Sequence, residues 1–117
     1  MAGQLFDRGD IVHCLSPHAE GGASRHYAVI VGDPIANTSG DYILVQITST
    51  TYRGRTDYTI RDSDPEFGLT GLAHTSTIRC HKVFVLANSR VRRKIGVVGP
   101  NTMAAIENHI KAALALR

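Results

Sequence analysis

Apolar residues in this chain come in short runs separated by turn chemistry, and a helical spacing appears only near the end. Ile11 to Leu15 is the first run, entered through Gly9-Asp10 and left through Ser16-Pro17. A handful of apolar, partly β-branched residues between such punctuation has the length of a strand. Residues 16–26 hold Pro17, Gly21 and Gly22 without apolar periodicity and read as a loop. Tyr27 to Val31 is a second strand, stopped by Gly32-Asp33-Pro34. Asn37-Thr38-Ser39-Gly40-Asp41 is turn chemistry, and Tyr42 to Thr48 follows as a third strand with Ile43, Val45 and Ile47 on one face. The second and third strands are placed to pair as a hairpin. Asp57-Tyr58-Thr59-Ile60 reads as a shorter, more exposed strand, broken by Asp62-Ser63-Asp64-Pro65.

Strand patterning returns at Ser76, through Thr77 to His81 and then Val83 to Leu86, where periodicity does not separate a strand from a buried turn. Arg90, Arg92, Arg93 and Lys94 read as a basic loop. Beyond it, Gly99 suits a helix N-cap and Pro100 the first helical position, where its missing N–H costs nothing. Met103, Ile106, Ile110, Ala113 and Leu114 then recur at helical spacing, with Lys111 and Arg117 toward the negative end of the helix dipole. Short strands, frequent turns and one terminal helix predict a mainly β protein with a C-terminal helix, an SH3-like small β-barrel.

At 117 residues and 43% hydrophobic, the chain suits one domain spanning residues 1–117. No run approaches the roughly 20 apolar residues of a membrane-spanning helix. Met1 to Arg8 lacks the basic-then-apolar order of a signal peptide. A soluble, cytoplasmic protein is expected. Cys14 and Cys80 sit inside apolar runs without metal-ligand spacing and read as buried, reduced thiols. The net charge is +3, with the excess clustered at Arg53 and Arg55 and again at residues 90–94, a weak pointer to an anionic partner.

Three segments carry a more specific signal: Gly9-Asp10-Ile11-Val12; Glu20 and Arg25 in a glycine-rich stretch leading into Tyr27-Ala28-Val29-Ile30-Val31; and Val45-Gln46-Ile47-Thr48-Ser49. In this order they resemble the MazF/PemK family of type II toxin endoribonucleases. That family's pattern is a Gly-Asp-apolar strand, a loop with Glu and then Arg, an apolar strand, and a strand ending in Ile-Thr or Thr-Ser. The resemblance covers roughly residues 8–116, with Ser76, Val83, Arg90, Lys94, Ile95 and Gly96 in register. Two departures stand out. His26 follows Arg25 where the family usually has Pro, and the family's Ile-Arg-Thr triplet is the apolar Val83-Phe84-Val85 here.

The resemblance implies cleavage of single-stranded RNA without a metal, leaving a 2′,3′-cyclic phosphate and a 5′-hydroxyl. Such chemistry needs a base for the 2′-proton, positive charge on the developing phosphorane and an acid for the leaving oxygen. Arg25 suits the phosphate, because its fork of donors matches two oxygens and stays charged. Thr48 is assigned transition-state hydrogen bonding and positioning, and Glu20 is the candidate base. His26 is a secondary candidate for the acid, although adjacent strand residues point to opposite faces. Ser49 and the Tyr52-Arg53-Gly54-Arg55 loop are the candidate RNA-binding residues, combining a stacking ring with phosphate-directed charge. His13, His18, His74, His81 and His109 show no ligand spacing, so no metal or other cofactor is expected.

The resemblance also implies a homodimer held inactive by an antitoxin whose acidic, disordered tail orders on binding. Two other readings share the fold: a gyrase-binding toxin of the CcdB type that catalyses nothing, and an RNA- or protein-binding barrel that has lost the chemistry. Arg25 beside Thr48 favours the nuclease over the first, and His26-Tyr27 leaves the second open.

Overall fold

Burial along the third strand shows how the sheet is used. Tyr42 and Leu44 are buried on one face, Val45 and Ile47 on the other, so an apolar run rather than a clean alternation marks a strand with core on both sides. The computed structural model describes residues 5–17, 23–33 and 40–116, with the side chains of residues 16, 17 and 23–25 outside that description. Its elements are β1 (Asp10–Pro17), β2 (Ala23–Ile30), β3 (Asp41–Thr48), β4 (Asp57–Ile60), β5 (Ser76–Ala87), β6 (Val91–Val97) and α1 (Pro100–Ala113). The strands form one antiparallel sheet in the order β4-β5-β3-β2-β1-β6.

One face of the sheet buries Val12, Ala28, Ile30, Tyr42 and Leu44 with Phe6. The Tyr42 hydroxyl accepts the Phe6 N–H at 3.0 Å, which satisfies a buried backbone donor. The other face buries Ile11, Val29, Val45, Ile47 and Ile78 beneath α1, whose Ile106 is fully enclosed and whose Met103 and Ile110 pack alongside. Cys14 and Cys80 are free thiols, one in each core. Burial raises the Cys14 pKa to about 11, and burial with the nearby Asp57 charge raises that of Cys80 to about 12, so neither is a ready nucleophile.

The mainly β architecture with a C-terminal helix stands, and three boundaries differ from the sequence reading. Residues 16, 17 and 23–26 belong to strands, because Ser16 pairs with Ser24 and Pro17 with Ala23 in a backbone ladder that needs no apolar pattern. The two runs after Ser76 are a single twelve-residue strand. It is interrupted by a bulge, since Gln46 pairs with Arg79 and Val45 with Val83, leaving residues 80–82 without β3 partners. Arg92, Arg93 and Lys94 form part of β6 rather than a loop, with Arg90 in the preceding 3-10 turn. An edge strand with exposed side chains carries charge instead of apolar alternation, and charge there discourages further strand addition.

The edges β4 and β6 do not pair with each other. The gap is spanned by the segment between β4 and β5, which packs directly on β6. A Cβ at Gly96 would lie 2.2 Å from the backbone carbonyl of Thr70, and one at Gly71, where φ is +73°, would lie 2.0 Å from the Ile95 oxygen. Only hydrogen fits at either place, so these two glycines set how closely the barrel-like sheet curls.

Gly99 and Pro100 occupy the N-cap and first position of α1. The cap itself comes from elsewhere in the chain. Glu66 Oε1 accepts the Thr102 N–H at 2.8 Å and the Thr102 hydroxyl at 2.7 Å, and Oε2 accepts the Asn101 N–H at 3.1 Å. A carboxylate at this end satisfies free N–H groups and complements the helix dipole. Leu114 is the C-cap residue of α1 and, though half exposed, lines a surface recess with Ile110, Val83 and Ile43.

The hydrogen bonds from Thr102 outweigh desolvation and hold the Glu66 carboxyl below its ordinary 4.5. At Asp57, burial pushes the pKa upward, but the bond and charge of Arg79, with the Gly54 N–H and His81, carry it below the ordinary 3.8. Both groups therefore stabilise the fold fully above their ordinary values, and that stabilisation disappears as pH falls through their lower folded values. Thermal unfolding followed from pH 7 into the acid range should show a steep loss of Tm below the ordinary carboxylate range. Asp57→Asn and Glu66→Gln should each flatten that limb while lowering Tm at neutral pH.

Candidate functional site

Thr48 is the last residue of β3, paired with Thr77 of β5 and half-buried. Its Oγ accepts the Thr50 N–H at 3.1 Å, which turns the chain sharply after the strand. That bond uses the oxygen as acceptor and does not engage the hydroxyl proton. Thr48 opens into a cavity of about 330 Å3. Tyr27, Ile47, Thr48 and Ser49 form one wall, and Gly71 to His74 with Ser76 form the other. Strand pairing brings Tyr27 there, opposite Ile47 in the β2–β3 ladder.

Arg25 lies in β2 with its main chain opposite Leu15, two positions before Tyr27 and of the same strand parity. Its side chain, and Glu20 entirely, lie outside the described residues. His26 goes elsewhere. It lines a separate cavity of about 210 Å3 with Gln46, Lys82, Val83 and Phe84, whereas its neighbour Tyr27 lines the Thr48 cavity. Consecutive strand residues face opposite ways, and these two do.

The 51–56 segment is tied back to β5 beside Thr48. The Tyr52 N–H donates to Thr77 Oγ at 3.5 Å, and the Arg79 guanidinium sits 3.6 Å from the centre of the Tyr52 ring. Arg79 is fixed in turn by Asp57, with Nε 3.1 Å from Oδ1, while Asp57 Oδ2 accepts the Gly54 N–H at 2.9 Å. The Asp57 side chain is only 1% exposed, so this pair is well shielded from water and tolerates no missing partner. Tyr52 is 39% exposed and keeps a surface available, and Arg53 and Arg55 extend into solvent on either side of Gly54. The cavity itself thus carries the Thr48 hydroxyl and the Tyr27 ring, and the segment with Tyr52 and the exposed Arg53 and Arg55 is anchored at Thr77, the strand partner of Thr48.

Asp57 and Arg79 were not among the candidate site residues read from the sequence, and His74 was considered there only as a metal ligand. The first two meet because Asp57 is registered against Arg79 across β4 and β5, a pairing that spacing alone does not reveal. His74 lies in a loop without a motif. Among the described residues, no group of three or more His, Cys, Asp or Glu side chains is placed to hold a metal ion. No described helix is long and apolar enough to cross a membrane.

Several solved structures share this fold. An endoribonuclease from a mycobacterial species, in complex with its cognate antitoxin, superposes with a TM-score of 0.73 at 24% identity, covering 94% of this chain and 95% of that one. MazF of a MazE–MazF complex from Deinococcus radiodurans gives 0.76 at 17% identity over 97% and 100%. The Mycobacterium tuberculosis toxin MazF-mt6 gives 0.71 at 15% identity over 91% and 98%. No curated protein sequence matches the chain. The family model for PemK-like, MazF-like toxins of type II toxin-antitoxin systems matches residues 7–114, nearly the whole chain, and the protein belongs to that family.

Proposed function

We propose that this toxin is a sequence-specific, metal-independent endoribonuclease acting on single-stranded RNA. The observation that carries the reading is the Thr48 cavity, a hydroxyl-bearing recess at the end of β3 beside the strand that holds Arg25. Membership of the toxin family and the likeness to a mycobacterial endoribonuclease support it.

In this reading the scissile phosphate sits at the mouth of the cavity. Arg25 holds two phosphate oxygens and balances the charge that grows as the 2′-oxygen attacks. Thr48 donates its hydroxyl proton to the same group. Glu20 takes the 2′-proton, the 2′-oxygen bonds to phosphorus as the P–O bond to the 5′-oxygen breaks, and the leaving oxygen takes a proton from water, giving a 2′,3′-cyclic phosphate and a 5′-hydroxyl. Ser49, Tyr52, Arg53 and Arg55 hold the strand, with Tyr52 stiffened by Arg79 as a surface for base stacking. The working unit is a cytoplasmic homodimer, and an antitoxin with an acidic segment neutralises the basic surface.

Mixed RNA incubated with the purified protein in excess EDTA should be cut, and the fragments should accept a 5′ label from polynucleotide kinase without phosphatase treatment. Activity that vanishes in EDTA and returns with magnesium would overturn the metal-independent mechanism. Absence of cutting under any condition would favour a binding protein of the same fold.

His26 lines a different cavity from Thr48, which supports a reading in which it shapes the strand entry rather than moving a proton. His26→Ala should leave the pH–rate profile of cleavage unchanged, and His26→Pro should retain activity. Loss of the alkaline limb in either variant would make His26 the acid.

A further inference from the structure

The edge of the sheet holds two arginines where alternation would separate them. Across β1 and β6, His13 pairs with Arg93 but Cys14 pairs with Val91, so Arg92 is the extra residue of a bulge. Consecutive strand residues ordinarily face opposite ways, and bulges re-aim them. Arg92 and Arg93 line one cavity of about 460 Å3, with His13 and Leu15 across from them. Among the described residues, no carboxylate lines it. Both guanidiniums are exposed, and neither joins an ion pair among the described residues. The next cation, Lys94, is occupied by Asp10, with Nζ 3.2 Å from Oδ1.

This cavity neighbours the Thr48 site. The His13 and Tyr27 rings meet with centroids 5.4 Å apart, and Tyr27 is a wall of the Thr48 cavity. A chain of rings thus joins one recess to the other. Edge-strand charge that only guards against strand addition needs to project outward. It does not need two guanidiniums brought onto one recess by a bulge.

We propose that Arg92 and Arg93 form a second anion subsite, which binds a phosphate of single-stranded RNA flanking the scissile one, with the strand crossing the Tyr27 and His13 rings. The proposal rests on the ribonuclease reading and extends its substrate contact to the β1–β6 edge. Arginine forks match phosphate oxygens, and aromatic faces stack bases regardless of sequence, the combination that holds single strands. RNA is favoured over an acidic peptide by those rings, which lead from this recess to Thr48.

The test uses a fluorescein-labelled, fully 2′-O-methylated random RNA about 20 nucleotides long, enough to span more than one site. Its blocked 2′-oxygens prevent cleavage during titration. Arg92→Ala with Arg93→Ala should weaken binding about 10-fold or more at low salt. The slope of log affinity against log salt should become shallower by about 0.7, the value for one lost phosphate contact on a single strand. Arg92→Lys with Arg93→Lys should restore the slope but not the full affinity, because a point charge releases counterions without offering the fork. If circular dichroism shows the alanine variant unfolded, Arg92→Gln with Arg93→Gln takes its place.

Cleavage of mixed RNA by the unaltered protein tests the ribonuclease reading separately. Cleavage combined with unchanged affinity and slope in the variant overturns the subsite alone, and failure of the unaltered protein to bind the probe overturns it as well. A variant that keeps its RNA affinity but loses affinity for a synthetic Asp/Glu-rich peptide assigns the recess to a protein partner and overturns the RNA proposal.

Discussion

Arg25→Ala should reduce RNA cleavage by about 10²- to 10³-fold, the scale seen when a charged or oriented donor is removed from a transition state. The loss should fall mainly on the chemical step, since other cations and Tyr52 still hold the strand. Folding should survive, because the β1–β2 ladder at this position is made by the main chains of Leu15 and Arg25, which alanine preserves. Thr48→Ala should lose less, as one neutral hydrogen bond contributes less than a charged fork. Single-turnover cleavage of a mapped substrate, with circular dichroism as the control, checks both variants. Full activity in Arg25→Ala, or an unfolded protein, would remove Arg25 from the proposed mechanism.

Gly96→Ala should be among the most damaging single changes to stability. Its Cβ would stand 2.2 Å from the Thr70 carbonyl and 2.5 Å from the Leu69 oxygen, and both obstacles are backbone. No rotamer relieves such a clash. The segment between β4 and β5 has to move away from β6, opening the contact that bridges the two sheet edges. A cost of about 3 kcal/mol, the upper part of the range for overpacking, is expected. Gly71→Ala adds unfavourable positive φ to a similar clash and should behave likewise. The same segment carries Gly71 to His74 along the wall of the Thr48 cavity, so cleavage should fall together with stability. Urea unfolding and cleavage assays on the purified variants measure both effects, and a Gly96→Ala protein as stable as the parent would show that this approach does not set the curl of the sheet.

The local pattern of the chain determined the central strands and the helix by itself. Tyr27 to Ile30, Tyr42 to Thr48 and Pro100 to Ala113 have composition, punctuation and period that agree with one another, and local agreement of that kind leaves few alternatives. The ordered motifs running from Gly9 to Ser49 pointed to the toxin family for a related reason, since they lie in contiguous segments whose order survives in the sequence. The tertiary structure decided what depends on pairing between distant segments. β6 is a strand because β1 hydrogen-bonds to it, although its charged residues look like a loop. Glu66 caps a helix that begins 34 residues later, and Asp57 meets Arg79 only through strand register. The separation of His26 from Thr48 and the convergence of Arg92 with Arg93 follow from strand alternation and from a bulge that breaks it. Side-chain periodicity records which residues face a core, and it carries no information about which remote partner's backbone satisfies a strand's hydrogen bonds, so edges, bulges and long-range ion pairs emerge only when the chain is folded.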